Sequence, residues 1–258
     1  MGTYYDPLWI ATGFAGWKRN RAEKIDALKS GLERGFSLVD TAELYQSEPL
    51  VAEAIRGSKR DELFLATKAW SNHLHRDALV KSLEKSLRRL GTTYVDLYQV
   101  HFPNGRVPIT ETMSAMEELV AKGEILAVGV SNFSLEQIEE ANASLTKSQL
   151  ASVQMPYNLT NRAIERDILP YCDQEGIAVM AYYPLAHGRL TGSDSRVREL
   201  TGKYSKTQSQ LALRWLAQKR NVFPIPRASK RTHVEENAGA SGWELAPQDA
   251  TRLEELLK

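Results

Sequence analysis

The chain has 258 residues, with 33 Lys plus Arg set against 32 Asp plus Glu and a formal net charge of +1. So even a balance offers no electrostatic footprint for nucleic acid or an anionic membrane, and neither is expected as a partner. A hydrophobic share of 42% and a charged share of 25% are those of an ordinary globular protein; the single cysteine, Cys172, excludes an internal disulfide, and no metal site is expected.

In chain order, Leu8–Thr12 reads as a first short strand. Glu23–Arg34 follows as a helix, with Ile25, Leu28 and Leu32 at helical spacing, and then Gly35–Val39 as a second strand. Glu62–Thr67 is a third strand, followed by a helix over Asp77–Leu90 whose Leu79, Leu83, Leu87 and Leu90 mark one face. Tyr94–Val100 is a fourth strand, and Thr110–Lys122 is a helix closed by Gly123. Leu126–Val130 is a fifth strand, after which Ser134 and Gln137 have the spacing of a capping box. Ala151–Gln154, a helix over Ala163–Glu175, Ile177–Ala181, a helix over Thr207–Lys219 and Val222–Ile225 continue the alternation. Helices near Thr232–Ala240 and Pro247–Leu257 close it, with Leu185–Lys206 read as a connection.

Short, nearly continuous apolar strands alternating with helices argue a parallel sheet, and eight such units argue closure. The expectation is an α/β protein, a single (β/α)8 TIM barrel over residues 1–258 with extra C-terminal helices. A doubly wound open sheet comes second, because no Gly-x-Gly-x-x-Gly follows any strand candidate. The first residues lack a basic start followed by an apolar core, and no apolar run reaches membrane-span length. A cytoplasmic location is therefore expected. Cys172, inside a helix candidate, reads as a small buried hydrophobe.

In a parallel barrel the working residues gather at the C-terminal strand ends. Asp40, Lys68 and His101 follow or end consecutive strand candidates, and Tyr45 lies in the loop after Asp40. A carbonyl that accepts hydride needs a proton at its oxygen. A tyrosine supplies one readily only when a nearby cation stabilises its phenolate. Lys68 is such a cation, Asp40 can anchor it, and His101 can orient the oxygen. Each also has a plain structural reading: Asp40 as a turn cap, Tyr45 as a surface aromatic, Lys68 as a solvated strand end, His101 as a structural imidazole. Their joint occurrence on consecutive strand ends is what favours chemistry.

Leu38-Val-Asp40-Thr-Ala-Glu-Leu-Tyr45 resembles the D-T-A-x-x-Y signature of aldo-keto reductases. Leu65-Ala-Thr-Lys68-Ala-Trp70 is similar to the strand that carries the family's lysine, and Tyr94-Val-Asp-Leu-Tyr-Gln-Val-His101 to its Y-x-D-L-Y-x-x-H segment. Val128-Gly-Val-Ser-Asn132-Phe resembles G-V-S-N-F, and Val153-Gln154-Met-Pro156-Tyr157-Asn158 resembles V-Q-x-x-Y-N. The order of these motifs matches along nearly the whole chain. The resemblance implies reduction of small aldehydes and ketones by hydride transfer from a nicotinamide dinucleotide. Tyr45 is then the general acid, with Lys68, Asp40 and His101 completing the tetrad.

The resemblance further implies that Ser131, Asn132 and Gln154 hydrogen-bond the nicotinamide carboxamide and that Tyr182 stacks on its ring. The run from Ile225 to Asn237 is similar to the family's I-P-K-S-x-x-x-x-R-x-x-E-N element for the adenosine end. Within it Arg227 stands for the usual lysine and His233 for the usual arginine, while Glu236 and Asn237 match in place. NADP(H) is the implied preference, and NAD(H) is possible. Trp17 and Trp70 are implied to line the substrate pocket. A monomer is the implied assembly. Two alternatives stand beside this reading: a cofactor-binding, redox-sensing regulatory subunit of the same fold, and a lyase or isomerase using Lys68 as a Schiff-base amine. The full tetrad counts against the first, and Asp40, which would raise the lysine pKa, counts against the second.

Overall fold

The computed structural model describes residues 20–192 and 194–257. The strand expected at Leu8–Thr12 and the aromatic Trp17 lie outside the described residues. Seven strands are described: β1 (Leu38–Asp40), β2 (Phe64–Ala69), β3 (Val95–Val100), β4 (Ile125–Ser131), β5 (Leu150–Pro156), β6 (Ala178–Tyr182) and β7 (Val222–Pro224). Their order in the sheet follows the chain from β1 to β7. With helices between the strands, this is the α/β organisation of a (β/α)8 barrel, with seven of the eight expected strands among the described residues.

Two compact units make up the chain. The first holds the described residues through Val153 together with Arg227–Arg231, and the second holds Gln154–Pro226 and the residues from Thr232 onward. In the first unit β1 pairs with β2, β2 with β3 and β3 with β4, all parallel. Its helices are α1 (Arg21–Glu33), α2 (Glu48–Ala54), α3 (Arg76–Leu90), α4 (Ile109–Ala121) and α5 (Leu135–Ser144). After its first residue β2 is buried at every position, as a strand covered on both faces must be. On α3, Leu79, Leu83 and Leu90 are buried, while Leu87 stands half-buried at the edge of the stripe. Gly91 closes that helix in the left-handed conformation (φ 68°), donating its N–H to the Leu87 carbonyl. Ser134 and Gln137 form the expected reciprocal cap of α5.

In the second unit β6 pairs with β7, again parallel. The helices α6 (Ile168–Glu175), α7 (Arg198–Tyr204), α8 (Gln208–Ala217) and α10 (Pro247–Leu256) belong to it, and α9 spans Arg231–Ala238. The single helix expected over Ala163–Glu175 is instead a 3-10 turn, Ala163–Glu165, and then α6. Pro170 explains the break: its ring cannot pack over the carbonyl four residues earlier, so the regular helix begins at Ile168 with Pro170 in its first turn. Asp167 starts that helix, its carboxylate accepting the Ile168 N–H at 2.7 Å. Cys172 is fully buried, and burial pushes its thiol up to about 12. Among the described residues no helix is long and apolar enough to cross a membrane.

Two helices were not expected. α2 is seven residues long and buries Leu50, Val51 and Ala54, with proline in its first turn. α7 is equally short and buries only Leu200. Neither length carries two full turns of hydrophobic periodicity, so the pattern that reveals the longer helices is absent.

Candidate active site

The first unit brings Asp40, Tyr45, Lys68 and His101 together. Asp40 ends β1, Lys68 lies one residue from the end of β2, and His101 follows β3. Because these strands are parallel neighbours, their C-terminal ends share one edge of the sheet. Tyr45 closes a 3-10 turn, Glu43–Tyr45, that follows β1, and Gln46 ends the turn in the left-handed region (φ 54°). The turn folds the phenol back over the strand ends.

Lys68 is fully buried, and its Nζ donates to Asp40 Oδ1 at 2.7 Å, Asp40 Oδ2 at 2.6 Å and the Thr41 carbonyl at 2.8 Å. Three acceptors around one nitrogen is the pattern of an ammonium, which has three donors and no lone pair. Burial pulls its pKa below the usual lysine value despite the opposing attraction of Asp40. Asp40 raises it, as expected from the sequence, but desolvation of a fully enclosed cation is the larger effect and the net shift is downward. With every N–H engaged, the nitrogen offers no free amine to a carbonyl, which counts further against Schiff-base chemistry. Nζ lies 5.2 Å from the centroid of the Tyr45 ring.

Tyr45 Oη lies 3.1 Å from His101 Nε2, and the two rings meet edge to face with centroids 5.2 Å apart. Burial, helped by the Lys68 charge, pushes the His101 imidazole down to about 3. It is therefore neutral near pH 7 and can act as a hydrogen-bond partner without carrying charge. Trp70, the residue after β2, meets His101 edge to face at 5.4 Å, and Phe102 stacks on the same imidazole at 5.1 Å. Trp70 and Phe102 contact each other as well, at 5.7 Å.

Ser131 ends β4, and Asn132 follows it in the left-handed region (φ 62°), where asparagine is among the residues that tolerate the conformation. The Asn132 amide nitrogen donates to the His101 carbonyl and to Ser131 Oγ, both at 2.9 Å. This ties the end of β4 to the tetrad. Arg227 is exposed, and its charge helps lower the pKa of Lys24 on α1, after burial of that lysine.

The other residues picked from the sequence lie in the second unit. Gln154 is buried on β5 with its amide 3.8 Å from the Met180 sulfur, and Tyr182 ends β6 with its ring 4.9 Å from that of Tyr183. His233 is exposed on α9, Glu236 accepts a hydrogen bond from Thr207 Oγ at 3.0 Å, and Asn237 is buried.

Glu43, Glu48, Gln99 and Phe102 of this region were not picked from the sequence. Glu48 is fully buried, accepting from Thr67 Oγ at 2.7 Å and Arg89 Nε at 2.5 Å. Gln99, also fully buried, reaches Asp40 at 3.5 Å. Phe102 stands beside His101, and an aromatic directly after a candidate imidazole was the available signal.

Comparison with known proteins shows the family. A family model described as the aldo/keto reductase family matches residues 10–258. The chain belongs to the aldo/keto reductase family. It is an oxidoreductase of carbonyl compounds. Methylglyoxal reductase YeaE of Escherichia coli is 36% identical over 241 residues, which are 91% of this chain and 84% of the relative. The glyoxal reductase of Bacillus subtilis is 31% identical over 93% of this chain and 85% of its own. Among solved structures, an aldo/keto reductase from Klebsiella pneumoniae, in complex with NADP and acetate, superposes with a TM-score of 0.89 at 34% identity. That match covers 100% of this chain and 90% of the other.

Proposed function

We propose that this family member reduces small aldehydes and ketones with NADP(H), 2-oxoaldehydes of the methylglyoxal kind among them, with Tyr45 as the general acid. The observation that carries the proposal is the Tyr45–His101 hydrogen bond beside the buried Lys68–Asp40 pair. An acid at a reacting oxygen has to be held within hydrogen-bond reach of it, and the cost of its conjugate base has to be lowered. The Lys68 ammonium near the phenol ring favours the phenolate left after proton transfer. Asp40 and the Thr41 carbonyl hold that ammonium in place.

The neutral His101 imidazole completes the oxygen site. With its proton on Nε2 it donates toward the same point that the phenol addresses, so a carbonyl oxygen placed there meets two donors. Trp70 and Phe102 provide apolar walls next to that point, which orient the carbonyl substituents and keep water from the reacting oxygen.

The residues present fit the dinucleotide. A carboxamide needs both donors and acceptors, and Ser131 with Asn132 presents a hydroxyl and an amide side by side next to the His101 carbonyl. The exposed Arg227 guanidinium suits a phosphate, which it can grip with two parallel hydrogen bonds. When bound, the reduced nicotinamide supplies the hydride. The neighbours named methylglyoxal reductase and glyoxal reductase, and the one solved with NADP, support both the substrate class and the cofactor choice. The test is cofactor oxidation followed by absorbance, with NADPH and NADH compared across methylglyoxal, glyoxal and a set of aromatic aldehydes. Turnover with NADPH and at least one of these is expected; no oxidation with any of them would refute the reading.

A further inference from the structure

We propose that Glu43 is a positioning residue, clamping the loop that carries Trp70 to the turn that carries Tyr45 and thereby setting the affinity for carbonyl compounds. The inference rests on the functional reading above only for its kinetic consequence; the clamp itself is a matter of geometry.

Glu43 opens the same 3-10 turn that Tyr45 closes, so one short element places both side chains. Its carboxylate, only 11% exposed, gathers three donors. Oε1 accepts the backbone N–H of Trp70 and lies 3.0 Å from His73 Nδ1, while Oε2 accepts from Ser82 Oγ at 2.5 Å. Trp70 and His73 bracket the one-turn 3-10 helix Ser71–His73 after β2, so both ends of that turn are held by one carboxylate. Ser82 lies on α3, which ties the clamp to a packed helix. The same loop is held from its other side, where the Asn104 amide donates to the Ser71 carbonyl at 2.8 Å. A carboxylate that accepts backbone and side-chain donors makes charge-assisted bonds, stronger than neutral ones and directional.

The consequence follows from what Trp70 touches. Its ring packs on His101 and Phe102, so a Trp70 that shifts changes the wall against which a substrate lies. The proton-transfer geometry of Tyr45 and His101 is held separately, by their own hydrogen bond and by the strand ends. Loss of the clamp therefore weakens substrate binding and spares the chemical step.

The test reads hydrogen exchange at the Trp70 amide together with KM and kcat. Glu43→Ala is expected to speed exchange at that amide by about tenfold or more, whereas Glu43→Gln, which keeps an acceptor oxygen, stays within about threefold. With an aromatic aldehyde, Glu43→Ala raises KM by about tenfold while kcat changes by less than about twofold, and in a Trp70→Ala background it adds less than about twofold to KM. Should Glu43→Ala not fold, Glu43→Asp, whose carboxylate falls one methylene short, is read in its place. An unchanged Trp70 exchange rate would overturn the clamp, and so would a KM effect of full size persisting without Trp70. A parent protein that reduced no carbonyl would sink the functional reading alone, because the exchange arm decides the clamp independently.

Discussion

Tyr45 Oη and His101 Nε2 face each other at 3.1 Å inside a region where the imidazole is almost wholly enclosed and lies next to a lysine ammonium. The first consequence concerns acid stability. The imidazole has an ordinary value of 6.5 and is pushed down to about 3 by burial and by Lys68. Between those values the unfolded chain binds the proton that the folded chain refuses, so stability falls as pH drops through that window and is fully present above it. Urea midpoints at pH 7 and pH 5 should differ less in His101→Gln than in the parent. Equal losses in the two proteins would show that the imidazole is not held neutral by the fold.

Lys68 and Asp40 are both nearly free of solvent contact, at 0% and 2% side-chain exposure. Lys68→Met strands a buried carboxylate and should cost about 3–5 kcal/mol in urea denaturation, because the desolvation penalty then has no partner to offset it. Adding Asp40→Leu should recover most of that stability but none of the turnover. Recovery of both would mean that the ion pair serves the fold alone.

Gly129 sits in β4 where a Cβ would meet Ser152 Oγ at 2.4 Å and Gln99 Cγ at 2.9 Å. Gly129→Ala should destabilise by about 1–3 kcal/mol through overpacking, and Ser152→Gly should restore part of the loss. A neutral Gly129→Ala would indicate that β4 can move away from its neighbours. The glycine of the Val128–Phe133 motif is thus explained by contact with neighbouring strands rather than by a turn.

The alternation of strands and helices was legible because the longer helices carry apolar residues at helical spacing, leucines in α3 and Met113, Met116 and Leu119 in α4, and the strands short apolar runs. Boundaries were less so: β1 starts at Leu38, not Gly35, since its limit depends on where β2 offers a partner, and Leu38 pairs with Phe64. The tetrad residues were legible from their places at strand ends. Glu43 and Glu48 were not, because a carboxylate on a short element gives no periodic signal. Only the approach of Trp70, Ser82, Thr67 and Arg89 from distant parts of the chain shows what these two hold.

The central claim is that Tyr45 delivers the proton to the carbonyl oxygen. The most direct measurement compares Tyr45→Phe with the parent in NADPH-dependent reduction of an aldehyde, alongside a fluorescence titration of cofactor binding. The account predicts a loss of turnover of about 10²–10⁴-fold with cofactor affinity unchanged. Reduction by Tyr45→Phe at the parent rate would contradict it.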